Sequence, residues 1–245
     1  MARVIFENAG KRYGKMWALR EFSAGFEPGE AVSVIGPNGS GKTTLIKCLL
    51  GLVHATTGTI QVNGQKVGND PSYRHQLGYM PQISRFPSEL KIGQLIDLMD
   101  DIRGNTMDRT EGPLVKELGV ATMMDKRLGT LSGGQRQKVS AVLAFRYSPT
   151  VLVLDEPTAG LDPVSSQILL SAVRAIKRSG CTVMITSHLM EEVEAMADRI
   201  AYLQDGRLQF LQSPEEILGV TGLDRLSKAI PAMLTAKTGS HVESL

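Results

Sequence analysis

The sequence predicts an α/β protein, with a largely parallel sheet covered by helices on both faces. Two observations carry this. Ala31–Ile35 is a short β-branched run that stops at Gly36, and from Lys42 the apolar spacing turns helical. Val151–Leu154 and Thr182–Thr186 are further strand-length apolar runs, separated by the amphipathic stretch Val164–Ser179. Continuous apolar strands alternating with helices imply a sheet buried on both sides.

The remaining elements follow in order. Leu45, Leu49 and Leu52 share one face of the first helix, which is expected to end near Gly51. Thr59–Val62 and Gln65–Val67 flank Asn63-Gly64, a strong hairpin signal, so antiparallel strands are expected near the N-terminus. Residues 88–128 carry apolar positions (Leu95, Leu98, Met99, Ile102, then Leu114 and Leu118) that predict a helical insertion. In Val164–Ser179, Ile168, Leu169, Ala172, Val173 and Ile176 are expected to face inward. Ser213-Pro214-Glu215-Glu216 reads as the cap and first turn of a last core helix. The polar tail beyond Thr235 is expected to fray.

Bulk properties narrow the function classes. The 245 residues carry a net charge of +2 with no basic block, which argues neither for a nucleic-acid surface nor for an acidic substrate, and no nucleic-acid partner is expected. The two cysteines, Cys48 and Cys181, sit in apolar periodic segments and are expected to be free buried thiols in a reducing compartment. MARVIFENAG has no apolar leader pattern, and no run approaches the length that spans a bilayer. A membrane role would therefore come through a partner. His54, His75 and His241 are read as surface residues, and no Cys/His cluster suggests a metal site of the chain's own.

Three constellations carry chemistry. Gly36-Pro37-Asn38-Gly39-Ser40-Gly41-Lys42-Thr43 fits G-x-x-x-x-G-K-[ST], with Thr44 following. Its glycines let successive N–H groups point inward at a phosphate, and the following helix adds its positive end. Lys42 can reach the β- and γ-phosphates, and the Thr43 hydroxyl can ligate Mg²⁺. In Val151-Leu-Val-Leu-Asp155-Glu156, two carboxylates emerge at a strand's C-terminal end, where ligands bind in open α/β sheets. Asp155 is placed to hold Mg²⁺ and Glu156 to activate water. Leu131-Ser132-Gly133-Gly134-Gln135 opens another helical pattern, as an anion site or a simple N-cap turn.

Together these motifs resemble the ATP-binding subunit of ABC transporters, from about Val4 to about Ile217. The resemblance implies a P-loop NTPase (RecA-like) core with an antiparallel β subdomain and an inserted α-helical subdomain. It divides the chain into an ATPase domain over 1–217, with the helical subdomain at about 86–148, and a partly disordered C-terminal extension over 218–245. It implies ATP and Mg²⁺ as cofactors and assigns further residues. Gln82, after Leu77-Gly-Tyr-Met-Pro81, touches Mg²⁺ and the attacking water. Asp162, in Gly160-Leu-Asp162, crosses to the other subunit, although its place before Pro163 also suits an N-cap. His188, after Val183-Met-Ile-Thr-Ser187, contacts the γ-phosphate. Tyr13, in Arg12-Tyr-Gly14, stacks on adenine, or packs under the N-terminal sheet.

One chain carries one phosphate loop and one Leu131–Gln135 signature, which the family supplies to its partner's site. A second ATPase subunit, as a homodimer, and a separate transmembrane permease are therefore the expected partners. The implied location is peripheral, on the cytoplasmic face of the membrane. Ser84-Arg-Phe-Pro-Ser-Glu-Leu90 is similar to exporter-type motors, including the copper-linked ATPases of nitrous-oxide-reductase maturation. The alternative class is a soluble ABC ATPase of the iron–sulfur assembly type.

Overall fold

A computed structural model describes residues 3–104 and 106–239, with side chains through residue 235. The strands in chain order are β1 (Val4–Tyr13), β2 (Met16–Phe26), β3 (Ala31–Ile35), β4 (Thr57–Val62), β5 (Gln65–Lys66), β6 (Leu77–Met80), β7 (Val151–Asp155), β8 (Thr182–Thr186), β9 (Arg199–Gln204) and β10 (Arg207–Gln212). The α-helices are α1 (Lys42–Leu49), α2 (Ile92–Arg103), α3 (Gly133–Phe145), α4 (Pro163–Arg178), α5 (Met190–Met196), α6 (Pro214–Thr221) and α7 (Leu226–Gly239).

The strands form two sheets. A six-stranded sheet runs β10-β9-β3-β8-β7-β6, and a four-stranded sheet runs β2-β1-β4-β5. Within the larger sheet β3 is parallel to β8 and β9, and β7 is parallel to β8 and β6. Only β10 pairs antiparallel, with β9. Every residue of β3 and β8 is buried, the expected state of strands covered on both faces. Because β3, β6, β7 and β8 run the same way, their C-terminal ends share one edge. The smaller sheet is antiparallel throughout. Its Asn63-Gly64 turn has φ of 48° and 77°, the two left-handed residues that a tight hairpin needs.

Several expectations need correction. α1 stops at Leu49, so Leu45 and Leu49 are buried but Leu52 lies past the helix and is 59% exposed. α2 is rotated from the expected phase: Ile92, Leu95 and Ile96 face inward, whereas Leu98 and Ile102 are exposed. Leu114 and Leu118 are buried, but they sit in consecutive turns instead of a helix, and Leu114 has φ of 66°. Helix α7 continues to Gly239, past the point where fraying was expected; residues 240–245 and His241 lie outside the described residues. The Ser213 cap is as expected: its hydroxyl accepts from the Glu216 N–H at 3.1 Å, and Glu216 returns the bond at 2.7 Å.

One polar feature ties the helical segments to one another. The fully buried Arg146 side chain, at the end of α3, grips Asp100 of α2 with two bonds of 2.8 and 2.7 Å. It also donates to the carbonyls of Glu111, Met107 and Asp108 at 2.6, 3.1 and 3.1 Å. A buried guanidinium is tolerated when its fork is filled in this way. Cys48 and Cys181 are free and buried, and burial pushes their thiols up to about 11 and about 12.

Candidate active site

The loop between β3 and α1 owes its shape to close packing. A Cβ on Gly36 would lie 2.1 Å from the Leu203 carbonyl oxygen of β9, and one on Gly41 would lie 2.5 Å from that of Ala18 on β2. Both residues also have positive φ, 149° and 109°, so glycine is required twice over. The Gly206 N–H donates to the Ser40 carbonyl at 3.0 Å, bracing the loop from the β9–β10 turn. With Gly41 as N-cap, no side chain caps α1, which leaves its first N–H groups facing the loop for an anion.

Lys42 Nζ donates to the carbonyls of Gly36 at 2.6 Å and Pro37 at 3.0 Å, which aims the ammonium back over the loop. Burial lowers its pKa, opposed by the nearby carboxylates of Glu156 and Asp155. Those carboxylates emerge where β7 ends. Asp155 accepts a 2.5 Å bond from the Thr186 hydroxyl on β8. Glu156 sits in the left-handed region at φ 52°, a conformation that costs energy for a residue with a side chain. Its N–H is held by the Thr186 carbonyl at 3.0 Å, and its carboxylate meets His188, with the backbone N–H at 3.3 Å and Nε2 at 3.2 Å. Beside them, the half-buried Tyr79 phenol is pushed up to about 12 by burial, with the charge of Asp155 adding to it.

Gln82 follows the end of β6, and its carbonyl accepts from Gln137 Nε2 of α3 at 3.2 Å. Gln137 Oε1 in turn accepts from the Ser84 hydroxyl at 2.9 Å. Tyr13, at the end of β1, is 43% exposed and therefore is not packed under the N-terminal sheet. An open cleft of about 330 Å³ brings these parts together: Tyr13, Met16 and Ala18 on one side, Asn38–Thr44 as the floor, and Gln82, Asp155, Glu156 and His188 opposite. Gly36 and Pro37 stay behind the lining, as anchors for Lys42.

Thr43, Gln82 and Asp155, which carry a hydroxyl, an amide and a carboxylate, all line this one cleft. Hard oxygen donors with a single carboxylate suit Mg²⁺, which fills its remaining positions with phosphate and water. The donor set therefore fits the ion.

The structure places two expected sets elsewhere. None of Leu131–Gln135 lines the cleft. Ser132 caps α3, accepting from Gln135 N–H at 3.2 Å, and Gln135 Oε1 accepts from Ser132 N–H at 3.1 Å. Asp162 caps α4 through the Ser165 N–H and hydroxyl at 2.8 and 2.7 Å, and pairs with Lys138 of α3 at 3.0 Å. These contacts hold its carboxyl well below the usual range, the Ser165 N–H bond most of all. Sequence reasoning missed Met16, Ala18, Gly206 and Gln137. Asp205-Gly206 is the same hairpin signal as Asn63-Gly64, and Gln137 is a polar residue at a buried helical position.

The ABC transporter family model matches residues 19–159, more than half of the chain. The chain belongs to that family. As an ABC transporter ATPase subunit it binds and hydrolyses ATP. The Nod factor export ATP-binding protein I of Burkholderia orbicola is 33% identical over 211 residues, covering 84% of this chain and 69% of that protein. The linearmycin resistance ATP-binding protein LnrL of Bacillus subtilis is 30% identical over 224 residues, 90% of this chain and 72% of its own length. Among solved structures, an ATP-binding subunit of an ABC transporter superposes with a TM-score of 0.89 at 27% identity, covering 94% of this chain and 99% of that one. Tyr13, Asp162 and His188 lie outside the matched span of the family model. Among the described residues, no helix is long and apolar enough to cross a membrane.

Proposed function

We propose that this ABC ATPase powers a separate membrane permease of the exporter type, from the cytoplasmic face of the membrane, and that its hydrolytic site is completed by a second copy of the chain. The observation that carries this is the division of the machinery. Lys42, Gln82, Asp155, Glu156 and His188 converge on one cleft, while Leu131–Gln135, with Ser132 and Gly133 exposed, line none of it. A signature that cannot serve its own cleft can serve a partner's.

In this proposal the triphosphate lies along the N–H groups of 38–44, with adenine against Tyr13. Lys42 draws the β- and γ-phosphates. Thr43, Gln82 and Asp155 would hold Mg²⁺, which would supply charge neutralisation at the phosphates. Glu156, fixed by its contact with His188, orients and polarises the attacking water. Lys42 and His188 stabilise charge that develops on the γ-phosphate. From the facing subunit, Ser132 and the N–H groups of Gly133 and Gly134 complete the cradle. Asp162 stands beside the signature helix, held by Lys138, where it can carry closure from one subunit to the other. We further propose an ATPase domain over 1–217 and a C-terminal extension over 218–245, in which α7 packs on β9 and α5.

A permease contact is supported by a groove of about 460 Å³ between β6, α2 and α3. It is lined by the apolar Leu52, Phe86, Leu95 and Met99 and by Arg74, Arg85 and Arg103. Ile83, 69% exposed, lies in the same segment as Gln82. Pro81 and Ser84, on either side of Gln82 and Ile83, line the groove, so one segment borders both the groove and the cleft. The relatives named above are an export protein and a resistance protein, which favours the exporter class over the iron–sulfur assembly type and gives no support to the nitrous-oxide-reductase type within it.

The test is twofold. Glu156→Gln is expected to lower ATP turnover roughly 10²–10⁴-fold with nucleotide binding kept, and Lys42→Ala to abolish binding. Near wild-type turnover in Glu156→Gln would sink the role given to Glu156. Co-purification from membranes with a multi-span protein supports the motor role, and recovery only in the soluble fraction contradicts it.

A further inference from the structure

We propose that Glu192 is a positioning residue for hydrolysis, tying the loop that carries Glu156 to the loop that carries His188. The two loops leave the sheet side by side, since Asp155 of β7 pairs in register with Thr186 of β8. Beyond the sheet they part. One runs through Thr158 toward α4, and the other runs through Ser187 into α5. Glu192, in the first turn of α5, spans the gap. Its Oε1 accepts from the Thr158 hydroxyl, and its Oε2 accepts from the Ser187 hydroxyl at 2.8 Å. Ser187 is only 2% exposed, and its oxygen also accepts from the Leu189 N–H at 3.0 Å. Thr158 lies two residues past Glu156, and Ser187 immediately precedes His188. One carboxylate thus holds the flanks of both groups.

The platform beneath Glu192 is itself fixed. Glu194 accepts from the Leu226 N–H at 2.9 Å, and Val193 packs in one buried cluster with Ala229 and Ile230 of α7. Both Glu191 and Glu192 stand in the first turn, where an acid suits the helix end, but the bonds to Thr158 and Ser187 belong to Glu192. What Glu192 adds is distance control. The Glu156–His188 contacts of 3.2 and 3.3 Å persist only while the two loops stay together. A displacement of about 1 Å at a reacting centre costs up to ~10²-fold in rate.

This inference rests on the roles proposed for Glu156 and His188. Its test is steady-state ATP hydrolysis by the full chain. Glu192→Ala and the isosteric Thr158→Val are each expected to lower kcat about ten- to a hundredfold, with KM for ATP within about twofold of wild type. Thr158→Ser, which restores the hydroxyl, is expected to recover kcat. On a His188→Ala background, adding Glu192→Ala is expected to cost less than about twofold, because coupled positions are not additive. An unchanged kcat in Glu192→Ala, a rise in KM that accounts for the loss, or the full loss persisting on the His188→Ala background overturns the proposal. Should Glu192→Ala fail to fold, the contrast between Thr158→Val and Thr158→Ser decides. Failure of the underlying roles is seen separately, as wild-type turnover in Glu156→Gln and His188→Ala.

Discussion

Replacing Arg146 with methionine keeps the stem of the side chain and removes its charge. Among the described residues this guanidinium donates five hydrogen bonds, two to Asp100 and three to the carbonyls of residues 107, 108 and 111. The Arg146 side chain is 0% exposed and that of Asp100 8% exposed, so the carboxylate loses its counter-ion where water cannot replace it. Breaking a buried pair on one side costs about 3–5 kcal/mol. At about 2–4 °C per kcal/mol for a chain of this size, the midpoint of thermal unfolding should fall by roughly 6–20 °C. The double variant Arg146→Met/Asp100→Leu removes the stranded charge and should recover part of that loss. Recovery should be incomplete, because the three carbonyls still lack their donor. Calorimetry at neutral pH on both variants checks this. A single variant within about 1 kcal/mol of wild type, or a double variant less stable than the single, would refute the reasoning.

Other outcomes follow from the same structure. Gly36→Ala should lose ATP binding or fail to fold, since its Cβ would strike the Leu203 carbonyl at 2.1 Å; equilibrium nucleotide binding checks it. Cys48 and Cys181, raised to about 11 and about 12, should not react with a thiol reagent at pH 8 in the native protein, and both should react in guanidinium. Asp162→Asn keeps the cap acceptor and removes the charge. Because the folded pKa of Asp162 is depressed, its charge stabilises the fold above the ordinary carboxylate pKa of about 4, and that contribution fades as pH falls toward the folded value. The stability gap between wild type and this variant should therefore be present at pH 6 and close on acidification, as read by urea midpoints.

The parts of the site legible in the sequence are those where local chemistry admits few alternatives. A loop pressed between the carbonyls of Leu203 and Ala18 accepts only glycine at 36 and 41, so the pattern is visible without the structure. A fully buried strand such as β8 shows as an unbroken apolar run. The helical segment was less legible because its phase is set by a long-range partner. Asp100 turns inward to meet Arg146, 46 residues away, and this rotates Leu98 and Ile102 outward. Leu114 and Leu118 keep helical spacing in a segment of turns, where burial alone decides which residues face inward. Gln137 and Glu192 were invisible for a similar reason. Their roles come from where α3 and α5 dock, which side-chain type does not encode.

The central claim is that one chain holds half a site. Gly133 offers a clean way to disable the other half, since a Cβ there meets nothing within 4 Å beyond its chain neighbours and its own helix backbone. Gly133→Asp places a carboxylate where the partner's phosphate is proposed to lie. Homodimers of Gly133→Asp and of Glu156→Gln should each be nearly inactive. Mixed dimers of the two chains contain one site with a wild-type Glu156 facing a wild-type signature. Random mixing at equal concentration should therefore restore about a quarter of wild-type ATP turnover, because half of the dimers are mixed and each has one working site of two. A mixture no more active than its two components would contradict the shared site.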